Sequence, residues 1–153
     1  MMQGITFRFA TVDDIPMICQ FRITQLARGG AVKVEGIDDE LVRFYNECFE
    51  QDTIRQIFAY ENEKAIATGA VLFYSYPPSH VNKSGKIAYI SNMFTDPEYR
   101  NRGIASQILS MLEDEARNRG ITTAKLGATA MGKSVYEHAG YKEDVLYTLI
   151  KEL

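Results

Sequence analysis

Cysteine is scarce in this chain. Cys19 and Cys48 are the two present among 153 residues, and no Cys-x-x-Cys pair occurs. Both fall within apolar patterns, so they read as buried thiols of a reducing compartment. Zinc sites of the usual spacing are excluded, and no metal is expected. Long apolar runs are also missing: no stretch approaches the ~20 residues needed to span a bilayer. The opening Met1-Met2-Gln3-Gly4 lacks the basic-then-apolar layout of a secretory signal. A cytoplasmic location without a membrane partner is the expectation. Positive charge is in no excess, since the net charge is −3 and the Lys and Arg residues are scattered. That argues against a nucleic-acid partner, which usually wants a basic face. Repeats, low-complexity tracts and domain linkers are absent as well.

What remains is ordinary for a globular protein: 46% apolar and 24% charged residues. The length fits one domain over residues 1–153. A chain of this size buries about 70% of the surface that its unfolded form exposes, so no staple is needed.

Periodicity supplies the elements. Ile5 to Ala10 reads as a strand with Ile5, Phe7 and Phe9 on one face. Thr11-x-x-Asp14 reads as a helix start, with Ile15, Ile18, Cys19, Arg22 and Leu26 at helical spacing and Gly29-Gly30 as the stop. Asp38 and Asp39 open a second helix whose stripe is Leu41, Phe44, Tyr45, Cys48 and Phe49. Thr53–Tyr60 and Ala65–Tyr76 read as a hairpin, followed by a polar loop through Gly85 and a strand from Lys86 to Thr95. A helix runs from Gly103 to Arg119 and buries Ala105, Ile108, Leu109, Leu112 and Ala116. Ile121–Ala128 is a strand, Lys133–Ala139 a short helix, and Val145–Ile150 a last strand. The order is β-α-α-β-β-β-α-β-α-β. It predicts an α/β (α+β) fold with a mixed sheet and helices on both faces, and the long helix crosses between two parallel strands.

The stretch Arg100-Asn101-Arg102-Gly103-Ile104-Ala105 stands between a strand and a helix start. The first N–H groups of a helix have no internal partner and carry the positive end of its dipole. A phosphate placed there is bound by donors that are otherwise unpaired. Gly103 removes a Cβ that would hold it off. Arg100 and Arg102 add positive charge.

This stretch resembles the acyl-CoA-binding signature of the GNAT superfamily of N-acetyltransferases, Arg/Gln-x-x-Gly-x-Gly/Ala, at Arg100, Gly103 and Ala105. Val135-Tyr136-Glu137-His138-Ala139-Gly140-Tyr141 resembles the family's second signature, a tyrosine on the short last helix before a Gly-aromatic turn. The opening Phe7-Arg8-Phe9-Ala10-Thr11-x-x-Asp14 is similar to the start of many members, and the element order is the one expected of that fold. The resemblance implies transfer of an acetyl group from acetyl-CoA to a primary amine, by direct attack in a ternary complex. It implies that amides from Asn101 through Arg102, Gly103, Ile104 and Ala105 to Ser106 hold the pyrophosphate. The pantetheine arm would add beside Met93, Phe94 and Thr95 like an extra strand, and an N–H near Phe94 would face the oxyanion. Thr129 and Ser134 would lie near the cofactor. Tyr136 occupies the position that protonates the departing thiolate. A phenol suits the task, being protonated near neutral pH with a pKa of about 10.

The chain departs from some relatives where they carry a glutamate base, since it has Ala124 there, and where many carry an asparagine, since it has Thr129. The base is therefore unassigned, with Glu35, Asp38, His80 and Asn92 (through water) as candidates. That departure keeps open a non-catalytic acyl-CoA sensor of the same fold. A remote alternative is a P-loop NTPase, because Gly127-Ala128-Thr129-Ala130-Met131-Gly132-Lys133-Ser134 matches G-x-x-x-x-G-K-[ST] letter for letter. Context rejects it: Gly140 breaks the following helix after about two turns, and Asp144, the only downstream Asp, lies in a turn, so no later strand delivers a carboxylate to magnesium. The acceptor amine, its acyl-chain preference and the oligomeric state, a homodimer included, stay open at this stage.

Overall fold

The computed structural model describes residues 3–153; Met1 and Met2, half of the opening read above for a secretory signal, lie outside the described residues. Five strands and four helices follow in order: β1 (Ile5–Phe9), α1 (Ile15–Arg28), α2 (Ile37–Glu50), β2 (Ile54–Glu61), β3 (Lys64–Ser75), β4 (Lys86–Thr95), α3 (Ile104–Asn118), β5 (Ala124–Leu126) and α4 (Lys133–His138). One sheet holds the strands in the order β1-β2-β3-β4-β5. Neighbours are antiparallel as far as β4, and β4 and β5 are parallel across the α3 connection.

The sheet separates two apolar layers. On one face α1 and α2 bring Ile15, Ile18, Cys19, Tyr45 and Cys48 onto Ile54, Phe58 and Ala70. On the other, Ile104, Ile108, Leu109, Leu112 and Ala116 of α3 cover Ile57, Ile66, Val71, Ala88 and Ile90. These alternating strand positions and helical stripes are what the sequence spacing requires. Ala105 is half-buried, and Ile104 takes the place expected for it. Phe44, expected in the α2 stripe, is exposed.

Two junctions matter for the site. Asn92 in β4 has φ +55, and the register between β3 and β4 shifts there, so β4 is bulged opposite Gly69. A Cβ on Gly69 would lie 2.4 Å from Met93 Sδ and 2.6 Å from Ile108 Cγ2, so only glycine lets α3 and the bulge approach this closely. Gly120 then ends α3 with Ile121 N bonded to Ala116 O (3.0 Å) and Gly120 N to Arg117 O (2.9 Å). Ile121 is spent on that cap and on the core. This is why β5 is shorter than the 121–128 run expected of it.

One expected element is not formed. The segment 145–150 is exposed and makes no sheet pairing, so the strand expected there is corrected to an unpaired tail. Its apolar residues suit a strand, but a strand exists only where its backbone groups find a partner.

Candidate functional site

β4 and β5 are paired for three residues, Ala88–Ile90 with Ala124–Leu126. Beyond Ile90 and Leu126 they separate: β4 runs on through Ser91–Thr95, while the other chain leaves through Gly127 toward α4. A cleft opens between them, and the turn that starts α3 stands beyond its β4 side.

That turn has the geometry of an anion cradle. Asn101 has φ +61 and Gly103 φ +80, so left-handed and ordinary conformations alternate. The amide N–H groups from Asn101 to Ser106 have no acceptor among the described residues, and Gln107 N is the first to bond back, to Gly103 O at 3.0 Å. No side chain caps α3. Six donors at the positive end of a 15-residue helix can therefore receive a diphosphate.

The arginines beside it differ in role. Arg100 Nε donates to Thr95 O (3.1 Å), and its Nη1 lies 3.6 Å from Met131 Sδ. It thus ties the end of β4 to the loop before α4, joining the two walls of the cleft. Arg102 is turned to Glu61 (3.2 Å) and lies over the Tyr99 ring. Much of its charge is spent there.

Of the β4 residues, Met93 faces α3, whereas Phe94 packs edge-on against Phe21 of α1 with Arg28 over its ring. Gln25 of α1 donates to Met93 O (3.1 Å) and accepts from Arg22 Nη1 (3.1 Å). Behind the bulge, Asn92 Nδ2 donates to Tyr45 Oη (2.8 Å) and to Gln56 Oε1 (3.4 Å). Gln56 Nε2 donates to Thr68 Oγ1 (2.9 Å), which donates to Ile57 O (2.8 Å). Every buried polar side chain of this relay is partnered, so it fixes the bulge.

Tyr136 is half-buried on α4, 6.0 Å edge-on from Tyr141. Burial pushes its phenol pKa above the ordinary value. Tyr141 donates to Glu113 Oε1 (3.0 Å), and burial raises its pKa further. Thr129 accepts the N–H groups of Gly132 (3.1 Å) and Lys133 (3.0 Å) at its carbonyl, and so starts α4. Ser134 sits exposed in the first turn of α4.

The candidate bases are scattered. Glu35 is exposed between the first two helices, Asp38 pairs with Lys33 (2.6 Å), and His80 is exposed in the 76–85 loop. Asn92 is buried in the relay. Burial raises the pKa of both Cys19 and Cys48, so both stay thiols near neutral pH. The P-loop look-alike has no cradle: Lys133 pairs with Glu143 and with Glu137, and α4 is six residues long. Among the described residues no cluster of side chains could hold a metal, and no helix is long and apolar enough to cross a membrane.

The model of the acetyltransferase (GNAT) family matches residues 21–141. The chain belongs to the GNAT family. The cradle and the β4 bulge both lie inside the matched region. Among solved structures, this GNAT chain is similar to a predicted acetyltransferase from Clostridium acetobutylicum with acetyl-CoA, at 33% identity, TM-score 0.91 and 96% coverage of each chain. A GCN5-related N-acetyltransferase from Ralstonia eutropha JMP134 shares 23% identity with TM-score 0.88, covering 97% of this chain and 99% of its own. Aminoglycoside N-acetyltransferase AAC(6')-Iy in complex with CoA shares 17% identity with TM-score 0.75, covering 97% and 94%. These last two show the fold. No curated protein matches the sequence.

Sequence reasoning missed Gln25, Met131 and the Tyr45–Gln56–Thr68 relay. Gln56 left one trace, a polar residue at a buried position of an otherwise apolar strand. Gln25 and Met131 left none, because their partners are 68 and 31 positions away.

Proposed function

We propose that this chain is an N-acetyltransferase that moves an acetyl group from acetyl-CoA to a primary amine by direct attack in a ternary complex. The observation that carries the reading is the row of unpartnered amides from Asn101 to Ser106 at a turn alternating in handedness. Those donors match a diphosphate and have no other employment. The acetyl-CoA held by the Clostridium acetobutylicum relative supports the same ligand. The pantetheine arm lies in the cleft along Met93, Phe94 and Thr95. The thioester carbonyl meets a backbone N–H near Phe94, which stabilises the oxyanion as the amine nitrogen attacks the carbonyl carbon. The C–N bond forms, the C–S bond breaks, and the sulfur takes its proton from Tyr136 Oη; the proton shed by the amine nitrogen passes to solvent, from which the Tyr136 phenolate is reprotonated. Burial keeps that proton in place until the thiolate appears. Both cysteines are buried, so no exposed thiol stands ready to carry acetyl, which favours a ternary complex over an acyl-cysteine enzyme.

Calorimetry with coenzyme A tests the cradle. Asn and Asp both tolerate left-handed backbone, so Gly103→Asn and Gly103→Asp differ mainly in charge. The Asp variant is expected to bind about 10- to 100-fold more weakly than the Asn variant, from a carboxylate within ~5 Å of the diphosphate. Equal affinities for the two variants would remove the diphosphate from this turn.

A further inference from the structure

Most arginines of this chain face a carboxylate. Arg8, Arg43, Arg55, Arg102, Arg117 and Arg119 each pair with an Asp or Glu. Arg22, Arg28 and Arg100 have no such partner among the described residues. These three converge on one stretch of β4. Arg22 Nη1 donates to Gln25 Oε1 (3.1 Å), and Gln25 Nε2 donates to Met93 O (3.1 Å). Arg28 lies over the Phe94 ring, 5.5 Å from its centroid. Arg100 Nε donates to Thr95 O (3.1 Å). Helical spacing allows this, because Phe21, Gln25 and Arg28 fall on one face of α1 with Arg22 beside them. A chain of net charge −3 therefore gathers unanswered positive charge where acetyl transfer is proposed.

Arg100 is accounted for as the tie between the walls of the cleft. The two arginines of α1 are not. Arg22 is half-buried, and the Gln25 bond takes one of its N–H groups. It stands between α1 and α2 within electrostatic reach of Tyr45. Burial raises the Tyr45 phenol pKa, while the Asn92 hydrogen bond and the charge of Arg22 act against the rise. A guanidinium drawn partly out of water without an anion is costly, and a ligand that brings the anion removes that cost. The acyl donor does not bring it here. A thioester and the amides of a pantetheine arm are neutral, and the diphosphate is assigned to the Asn101–Ser106 turn. The anion then has to come with the acceptor.

Geometry limits how far that anion is from the amine. One amide group and two hydrogen bonds of 3.1 Å separate Arg22 from the Met93 carbonyl, next to the Phe94 N–H. Resting on the acetyl-transfer reading above, we propose that the acceptor is a small amine that carries an anionic oxyacid group, a carboxylate or a phosphate, within a few bonds of its nitrogen, and that Arg22 binds this group. The planar guanidinium suits either oxyacid, since it offers parallel N–H donors. Arg28, exposed over Phe94, extends the positive field toward solvent and draws the anion in. The same two charges repel an acceptor that is cationic throughout.

The test uses pairs of amines that differ in the anion alone: phenethylamine with phenylalanine, isoamylamine with leucine, and ethanolamine with O-phosphoethanolamine. The first two pairs probe a carboxylate and the third a phosphate. Each is measured by thiol release with acetyl-CoA, and by calorimetry on the chain saturated with coenzyme A. At least one anion-bearing member is expected to bind and to react about 10-fold or more better than its partner, as a hydrogen bond to a charged group allows. Arg22→Gln is expected to raise the KM of that amine about 10-fold and to leave the KM of its anion-free partner unchanged. Arg22→Glu is expected to reverse the preference. An Arg22 that only props Gln25 against the bulge would lower kcat for every amine alike and shift no preference, and that result overturns its role. Equal or better binding of the anion-free member in every pair overturns the proposal. Where the variants fail to fold, the pairs measured on the parent chain decide. Binding of an anion-bearing amine without any thiol release would overturn acetyl transfer and uphold the anion site; turnover confined to anion-free amines would do the reverse.

Discussion

Tyr136 has its phenol packed against Tyr141 and the core, with no hydrogen-bond acceptor among the described residues. Loss of the hydroxyl alone, in Tyr136→Phe, keeps that packing and removes the proton. Turnover is expected to fall about 100-fold with the KM for acetyl-CoA nearly unchanged, as measured by thiol release on a good amine. The sign of the pH dependence follows from burial, which raises the pKa. The acid form persists above its ordinary range, so the alkaline loss of kcat due to Tyr136 falls above about pH 10, not between 7 and 9. Equal rates for the two forms would remove Tyr136 from the role of acid. At this scale the sequence was legible where a residue's place in the fold is set locally. Gly103 is read from its place between strand and helix, and Tyr136 from the Gly140-Tyr141 turn that follows. Gln25 was illegible, because its hydrogen bond to the Met93 carbonyl leaves no pattern near position 25.

The elements are joined by a small number of polar clamps. Arg8 of β1 forms two bonds to Asp14 (2.7 and 2.8 Å), and Asp14 Oδ2 accepts the N–H of Thr11 (2.8 Å), so the strand is locked to the start of α1. The Arg8 hydrogen bond, opposed by burial, holds the Asp14 carboxyl down at about 2. A depressed pKa stabilises the fold fully above the unfolded value near 4, and that contribution is lost as pH falls through about 2. Asp14→Asn is therefore expected to cost about 1 kcal/mol at pH 7, a figure discounted because Arg8 is half exposed. The difference from the parent chain should vanish between pH 4 and pH 2 in urea unfolding. A constant difference across that range would show that the ion pair is not its source. Most elements were legible from periodicity: the Lys86–Thr95 strand has the expected bounds, and the α3 stripe differs at Ala105 alone. The bulge at Asn92 was not, since an extra residue in one strand is defined by its partner. The Val145–Ile150 segment has the apolar residues of a strand but finds no pairing partner, so the strand read there does not form.

For the whole molecule, the sequence conveyed the layering, because the helical stripes and the strand alternation fix which faces pack together. It could not convey how sparsely β5 is attached. Three residue pairs hold β5 to β4, against a ladder running the length of Ile54–Glu61 on the other side of the sheet. Amides of 124–126 are expected to exchange with deuterium faster than those of 54–61, and to slow when coenzyme A is saturating. Unaltered exchange at 124–126 on saturation would mean that the ligand does not bridge the cleft. The fold is stitched most thinly along the line proposed for the thioester's entry. The guest would then act as the missing thread, and the protein should be stiffest when it is loaded.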